Sequence, residues 1–379
     1  MFTKGRRGDP RQSRRGFTLV ELLVVITIIG MLMAMMFPAL GAVLDVVRMN
    51  GCANNLSSIG KAISTTQATS GGAWPVVSTE KVTGAPAASA TAAMLKQERE
   101  AAQRTTRPGQ RRKAEKPKAT GYSWIVTLLS SLDEQNTFNR INVKSQRFSL
   151  SAFDPALTDD EGKHFSQMTM KVLQCPVSGT TGSNAPEYRD FAQRLADDNA
   201  RQLPVAVTNF VALSATHLSL VMDENSRGPN GVIYFAKRGI TKIPDGETNT
   251  IVLTETREPN YSSWFDGTTA WVVAHDPNTQ EPQLVGRKYE CSRGCQHALN
   301  VGPDMSPDEQ NIVYYRKSWA GREPWSYGPS SLHNGGMVNH MFGDKRVVPI
   351  RAIGPTQIPA EIYLALVSRD GGESARWEQ

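Results

Sequence analysis

An α+β fold is what this sequence predicts, with a long N-terminal helix packed on a head built around a mostly antiparallel β-sheet. Three observations carry the expectation. Phe17 to Phe37 is a run of 21 residues in which only Thr18, Glu21 and Thr27 are polar, long enough for a helix to cross a hydrocarbon core of about 30 Å. That run passes directly into an amphipathic pattern reaching Gln67. Further on, short β-branched and aromatic stretches alternate with Pro and Gly turn signals, which suits an antiparallel sheet and not a βαβ array.

Residues 1–16 form a basic leader with six basic residues and one acid, a net of +5. The whole chain carries +6, so about +1 is left for residues 17–379. The excess is therefore a topology signal that keeps the leader on the cytoplasmic side, and no nucleic-acid partner is expected. Residues 17–70 are expected to be one helix. Its first half has no polar face and reads as a single span of the cytoplasmic (inner) membrane. Its second half, with Val43, Val46, Val47, Leu56, Ile59 and Ile63 at three- and four-residue steps, reads as the spine of the head. At ~1.5 Å per residue this helix would be about 75 Å long. Ser70-Gly71-Gly72 ends it.

Residues 71–121 read as a low-complexity, flexible insert, since Lys81–Thr120 is rich in Ala, Thr and charge and poor in large apolar residues. Order returns for the extracytoplasmic head, 122–379. A helix is expected around Trp124, Val126, Leu128, Leu129 and Leu132. Strands are expected at Val172–Cys175, Val205–Leu213, Gly231–Phe235, Thr250–Glu255 and Thr269–Val273. A hairpin is expected from Met337–Asp344 into Arg346–Ile350, and a last helix over Ala360–Val367. Cys52, Cys175, Cys291 and Cys295 allow two disulfides in three pairings. The close spacing of Cys291 and Cys295 suggests one pair, which leaves Cys52 with Cys175. Cys291-x-x-x-Cys295 with His297 has no second ligand pair at suitable spacing, so no metal is expected there.

Arg14-Arg15-Gly16-Phe17-Thr18-Leu19-Val20-Glu21 resembles the type IV prepilin and pseudopilin signature. The resemblance implies a pilin-like fold and a prepilin peptidase that cuts between Gly16 and Phe17. It also implies N-methylation of Phe17, and a role for Glu21, the fifth mature residue, in assembly. A second set of landmarks runs in order through the chain: Cys52-Ala53-Asn54-Asn55-Leu56, Trp74-Pro75, Tyr122-Ser123-Trp124 and Gln174-Cys175-Pro176. It continues with Ile243-Pro244-Asp245-Gly246-Glu247-Thr248-Asn249-Thr250-Ile251, then Glu255, then Ser331-Leu332-His333-Asn334-Gly335-Gly336 to Asp344. This order is similar to the planctomycete-type DUF1559 family of prepilin-like proteins, whose C-terminal hallmark is His, nine residues, then Asp-Gly. Here ten residues separate His333 from Asp344, and Lys345 stands where glycine is usual. A β-bulge in the hairpin would absorb the extra residue.

His333, His340 and Asp344 are the residues that a metal site or a His–Asp pair would use, but Asn334-Gly335-Gly336 is turn chemistry and a hairpin is the stronger reading. Asp245-Gly246 with Thr248-Asn249 reads as a turn. No cofactor is expected; calcium, which some pseudopilins hold in C-terminal loops, is the one ion the resemblance leaves open. No Gly-rich phosphate loop, Gly-x-Ser-x-Gly elbow or His-Glu-x-x-His is present, so no enzyme is expected.

Together these imply a single-pass protein with its head in the periplasm or on the cell surface. It would be a structural or minor subunit of a type IV pilus or a type II secretion pseudopilus. Its partners would be the prepilin peptidase, other pilin-like subunits, their assembly machinery and the membrane. The alternative is an anchored module that does not polymerise and binds polysaccharide or protein through aromatics such as Trp264, Trp271, Trp319 and Trp325.

Overall fold

The computed structural model describes residues 17–78, 121–177 and 205–371, apart from 149, 151, 153, 223–227, 235, 237, 258–261, 268–269, 277–278, 286–287, 291–293, 300–314, 318–323, 326–327 and 353. The chain divides into two units, one ending at Val47 and one beginning at Arg48.

Helix α1 runs over Leu19–Thr69, 51 residues, and stays helical through position 38. In the first unit its side chains from Leu19 to Ala34 are all exposed. Among the described residues no helix is long and apolar enough to cross a membrane. The side chains of 35 and 37, which belong to the expected span, and those of 38–42 lie outside the described ones.

In the second unit α1 buries Cys52, Leu56, Ile59 and Ile63 completely, at steps of four, three and four that keep them on one face. Val43, Val46 and Val47, expected on the same stripe, are exposed and belong to the first unit. The helix ends as glycine dictates: the Gly72 amide donates to the Gln67 carbonyl at 2.8 Å, with Gly71 at φ 70°. Beyond it Trp74 and Val77 are buried, so packing of the head already includes the start of the 71–121 stretch. Residues 79–120 lie outside the described ones.

Ser123 opens helix α2 (Trp124–Leu128), its Oγ accepting from the Ile125 amide. A 3-10 turn and α3 (Gln135–Lys144) follow. The main sheet takes β1 (Phe210–Ala215), β2 (Ile251–Glu255), β3 (Trp271–Val273), β8 (Met337–Phe342) and β9 (Val347–Arg351) in the order β3-β1-β2-β8-β9. Between β3 and β8 come two small hairpins, β4 (Gln283–Val285) with β5 (Lys288–Glu290) and β6 (Tyr315–Lys317) with β7 (Pro324–Trp325). Helix α4 (Ser219–Met222) follows β1, and α5 (Ala360–Val367) closes the described fold where the last helix was expected.

The sheet is mixed, because β3 runs parallel to β1 while its other pairs are antiparallel. Every residue of β1 and β2 is buried, as expected of strands covered on both faces. Two expected strands are absent. Of Gly231–Phe235, residues 231–234 are irregular and 235 lies outside the described residues, and Lys171–Leu173 is a 3-10 turn. The physical reason in the second case is that the carbonyls there are already engaged. Asn55 Nδ2 donates to Lys171 O and Gln174 O, and the Asn209 amide donates to Leu173 O.

Candidate functional site

At the N-terminal end Gly16 lies outside the described residues, and Phe17 is exposed just before α1. Thr18 and Glu21 form a reciprocal cap. The Thr18 amide and hydroxyl both donate to Glu21 Oε2 at 2.8 Å, and the Glu21 amide donates back to Thr18 Oγ1 at 3.3 Å. This Thr-x-x-Glu capping box satisfies donors that a helix start otherwise leaves bare. Glu21 Oε1 takes no hydrogen bond among the described residues. The box is spelled in the sequence, yet the expected role of Glu21 was assigned from the prepilin resemblance alone.

The second cluster is inside the head. Cys52 on α1 is bonded to Cys175, just past the Lys171–Leu173 turn, one of the three pairings the sequence allows. Against Cys175 Sγ, at 3.8 Å, stands His333 Nε2. The same nitrogen faces Glu255, at the end of β2, at 3.2 and 3.3 Å from its two oxygens. A nitrogen turned to a carboxylate carries the proton, so Nε2 is the donor and Nδ1, which has no partner, the bare nitrogen when the ring is neutral. Asn339 on β8 also holds the carboxylate, its amide donating to Oε2 at 3.0 Å and its Nδ2 to Oε1 at 2.9 Å. Glu255 and His333 are 1% and 6% exposed, so the carboxylate depends on these donors in place of water.

His333 is set by the turn after it. Its amide donates to Ser331 Oγ, and Gly335 and Gly336 both sit at positive φ (74° and 67°). A side chain is strained there, which is why the chain reads Gly-Gly. Asn339 and Asn209, whose Oδ1 accepts from the Cys175 amide, gave no sequence signal; both act across strands or loops distant in the chain.

The residues that suggested a His–Asp site come apart. His340 Nδ1 meets the Val338 carbonyl and Nε2 the Tyr363 hydroxyl, both at 2.9 Å. Full burial holds its pKa down to about 3, so the ring is neutral. Asp344 lies past the far end of β8 from His333. It accepts from the Arg346 amide and pairs with Arg346 Nε at 3.3 Å. Its own amide donates to Glu247 O, and the Gly343 amide to Thr250 O. The hallmark aspartate therefore docks the hairpin turn on the 245–250 loop.

The β8–β9 ladder itself is regular, so no bulge interrupts it; the register shift is on the other side, between Ile251 and Leu253 of β2. In the 245–250 loop, Asn249 Nδ2 and Thr250 Oγ1 donate to the Asp245 and Gly246 carbonyls, the turn chemistry expected there. Cys295 is disulfide-bonded, and Cys291 lies outside the described residues. Of the four tryptophans of the binding alternative, Trp264 is fully buried, with Nε1 donating to Met168 O. Trp271 is half-buried. Trp319 and the Trp325 side chain lie outside the described residues.

Residues 11–37 match the family described as the prokaryotic N-terminal methylation motif. Residues 47–348 match the family described as a protein of unknown function (DUF1559). No curated protein and no solved structure is matched.

Proposed function

The chain belongs to the DUF1559 family, whose function is unknown, and from that premise we propose a prepilin-like, single-pass membrane protein that enters a type IV pilus or a type II secretion pseudopilus. The methylation motif at 11–37 is that of a type IV pilin-like precursor, which implies processing by a prepilin peptidase and assembly with pilin-type machinery in general. The observation that carries the finer reading is the first half of α1. Leu19, Leu22, Leu23, Ile26, Ile29 and Leu32 are each between 47% and 78% exposed, and the helix has no polar face opposite them. Such a helix is stable only in lipid or against other helices.

Assembly supplies both. Spans pack side by side, and Glu21 of one subunit neutralises the Phe17 ammonium that cleavage creates on its neighbour. An unpaired charge in low dielectric is costly, so the pair fixes axial register. Glu21 Oε1 is the oxygen available for it, since Thr18 occupies Oε2. The head needs no catalytic role in this scheme.

The test follows leader removal by intact mass and filament entry by shear fractionation. Gly16→Val leaves the leader attached. Glu21→Gln is cleaved but enters filaments poorly, and Glu21→Lys is worse because it juxtaposes two cations. Normal filament entry by Glu21→Lys would overturn the reading.

A further inference from the structure

We propose that the head, before its Cys52–Cys175 bond forms, holds a soft divalent metal ion, zinc by preference, between Cys52 Sγ, Cys175 Sγ, His333 Nε2 and an oxygen of Glu255. These four ligand atoms all lie within 4.8 Å of one another, and all four residues are buried. Two thiolates, an imidazole and a carboxylate are a zinc-type donor set. Bonds of about 2.0–2.3 Å in a tetrahedron put such atoms roughly 3.3–3.8 Å apart. Cys175 Sγ and His333 Nε2 already stand 3.8 Å apart, and His333 Nε2 and Glu255 Oε2 3.2 Å.

The ligands are also held by bonds that do not involve the disulfide. Asn55, three residues after Cys52 on α1, grips Gln174 O at 2.9 Å, and Asn209 Oδ1 takes the Cys175 amide at 2.9 Å. Asn209 Nδ2 in turn donates to the Thr256 carbonyl, just past Glu255. Asn339 orients the carboxylate by donating to both of its oxygens, as partners of metal-bound carboxylates do. In the thiol form the same pocket without a metal would bury two thiols beside the His333–Glu255 pair. A metal ion gives the sulfur, nitrogen and oxygen lone pairs one shared partner.

Binding displaces one proton from each thiol and moves the imidazole proton from Nε2 to Nδ1. Occupancy and the S–S bond exclude each other. When an incoming disulfide accepts two electrons from the two thiolates and leaves as a dithiolate, the protein disulfide closes and the metal is released. The site thus belongs to the newly made head, and the disulfide to the mature one.

The experiment uses the full chain in detergent with Cys291 and Cys295 both changed to Ser. The chain is reduced with a phosphine that is then removed without air, and cobalt(II) serves as the probe. The expected result is one cobalt per chain with tetrahedral, thiolate-to-cobalt absorption, bleached by zinc and absent from the oxidised chain. His333→Gln should weaken binding at least about 10-fold. In the chain with native His333, zinc should also protect Cys52 and Cys175 from iodoacetamide, read by peptide mapping, which keeps the test decisive if His333→Gln fails to fold. Absence of the cobalt signal in the reduced chain, equal alkylation with and without zinc, or a signal indifferent to both His333→Gln and Glu255→Gln would overturn the site.

Discussion

Lys345 stands at φ 72° in the three-residue loop between Phe342 and Arg346, where its amide donates to Phe342 O. That is the left-handed position of a short hairpin loop, and glycine is its natural occupant. An L side chain there costs about 1–2 kcal/mol. Lys345 has offsetting contacts: its ammonium lies 3.7 Å from the centroid of the Trp74 ring and donates to Gly343 O at 2.6 Å. Partial burial pulls its pKa below the ordinary lysine value, with Glu247 and Asp344 opposing that shift. A cation over a ring contributes roughly 0.5–2 kcal/mol.

Lys345→Ala keeps the strain and loses the contacts, so about 1–2 kcal/mol should be lost. Lys345→Gly loses the same contacts but relieves the strain, less about 0.5–1 kcal/mol for glycine's freedom in the unfolded chain. The glycine variant should therefore be more stable than the alanine variant by roughly 0.5–1 kcal/mol, the reverse of their order in a helix or strand. Urea unfolding of residues 48–379, read by tryptophan fluorescence at a common slope, resolves that difference. An alanine variant as stable as the glycine variant would refute the strain argument. A lysine chain no more stable than alanine would refute the Trp74 contact.

Three further outcomes are expected of the head. Replacing Cys52 and Cys175 by Ser opens a link across 123 residues and should cost about 5 kcal/mol, while unreduced peptide mapping of the unmutated chain should recover the Cys52–Cys175 cross-link. Glu255→Ala strands the Asn339 donors and His333 in a dry interior and should cost about 3 kcal/mol or more, whereas Glu255→Gln, which keeps an acceptor for Asn339, should cost clearly less by the same urea assay. Acid should destabilise the head: burial holds His340 at about 3 and His164 and His217 at about 4, below the 6.5 of an unfolded histidine. The unfolded chain gains protons the fold refuses, so stability is intact above about pH 6.5 and falls below it. At pH 5 the loss is about 2 kcal/mol for each of the three, a large part of a typical 5–15 kcal/mol; a Tm flat between pH 7 and pH 5 would contradict it.

The sequence disclosed what depends on local pattern. The apolar run, the Gly-Gly stop after Gln67, the β8–β9 hairpin and the last helix each follow from a few neighbouring residues. It concealed what depends on distant partners. Lys171–Leu173 has strand composition but forms a turn, because Asn55 and Asn209 take its carbonyls. Val43, Val46 and Val47 share the spacing of the buried stripe, yet spacing alone cannot say where packing begins. His333 was legible as a landmark and its true partner was not. Asp344 is close in sequence but faces Arg346, while Glu255, 78 residues away, takes the imidazole.

In the proposed assembly Glu21 would face the problem that Glu255 already meets, a carboxylate removed from bulk water, and the two meet it differently. Glu255 has both oxygens engaged by its own chain, by two Asn339 donors and the His333 ring, and those donors come from a strand of the sheet and the turn before it. Glu21 is held through Oε2 alone, by Thr18, at the very start of a helix. A carboxylate fixed on one side by its own helix cap is pre-aimed, and its second oxygen can take a cation from outside without breaking any bond the fold depends on. In the proposed assembly the capping box does more than start α1. It keeps the charge turned toward the helix N-terminus, where the Phe17 ammonium of a neighbouring chain would lie. In that proposal the carboxylate that would join subunits is the incompletely satisfied one, and the fully satisfied one lies buried in the head.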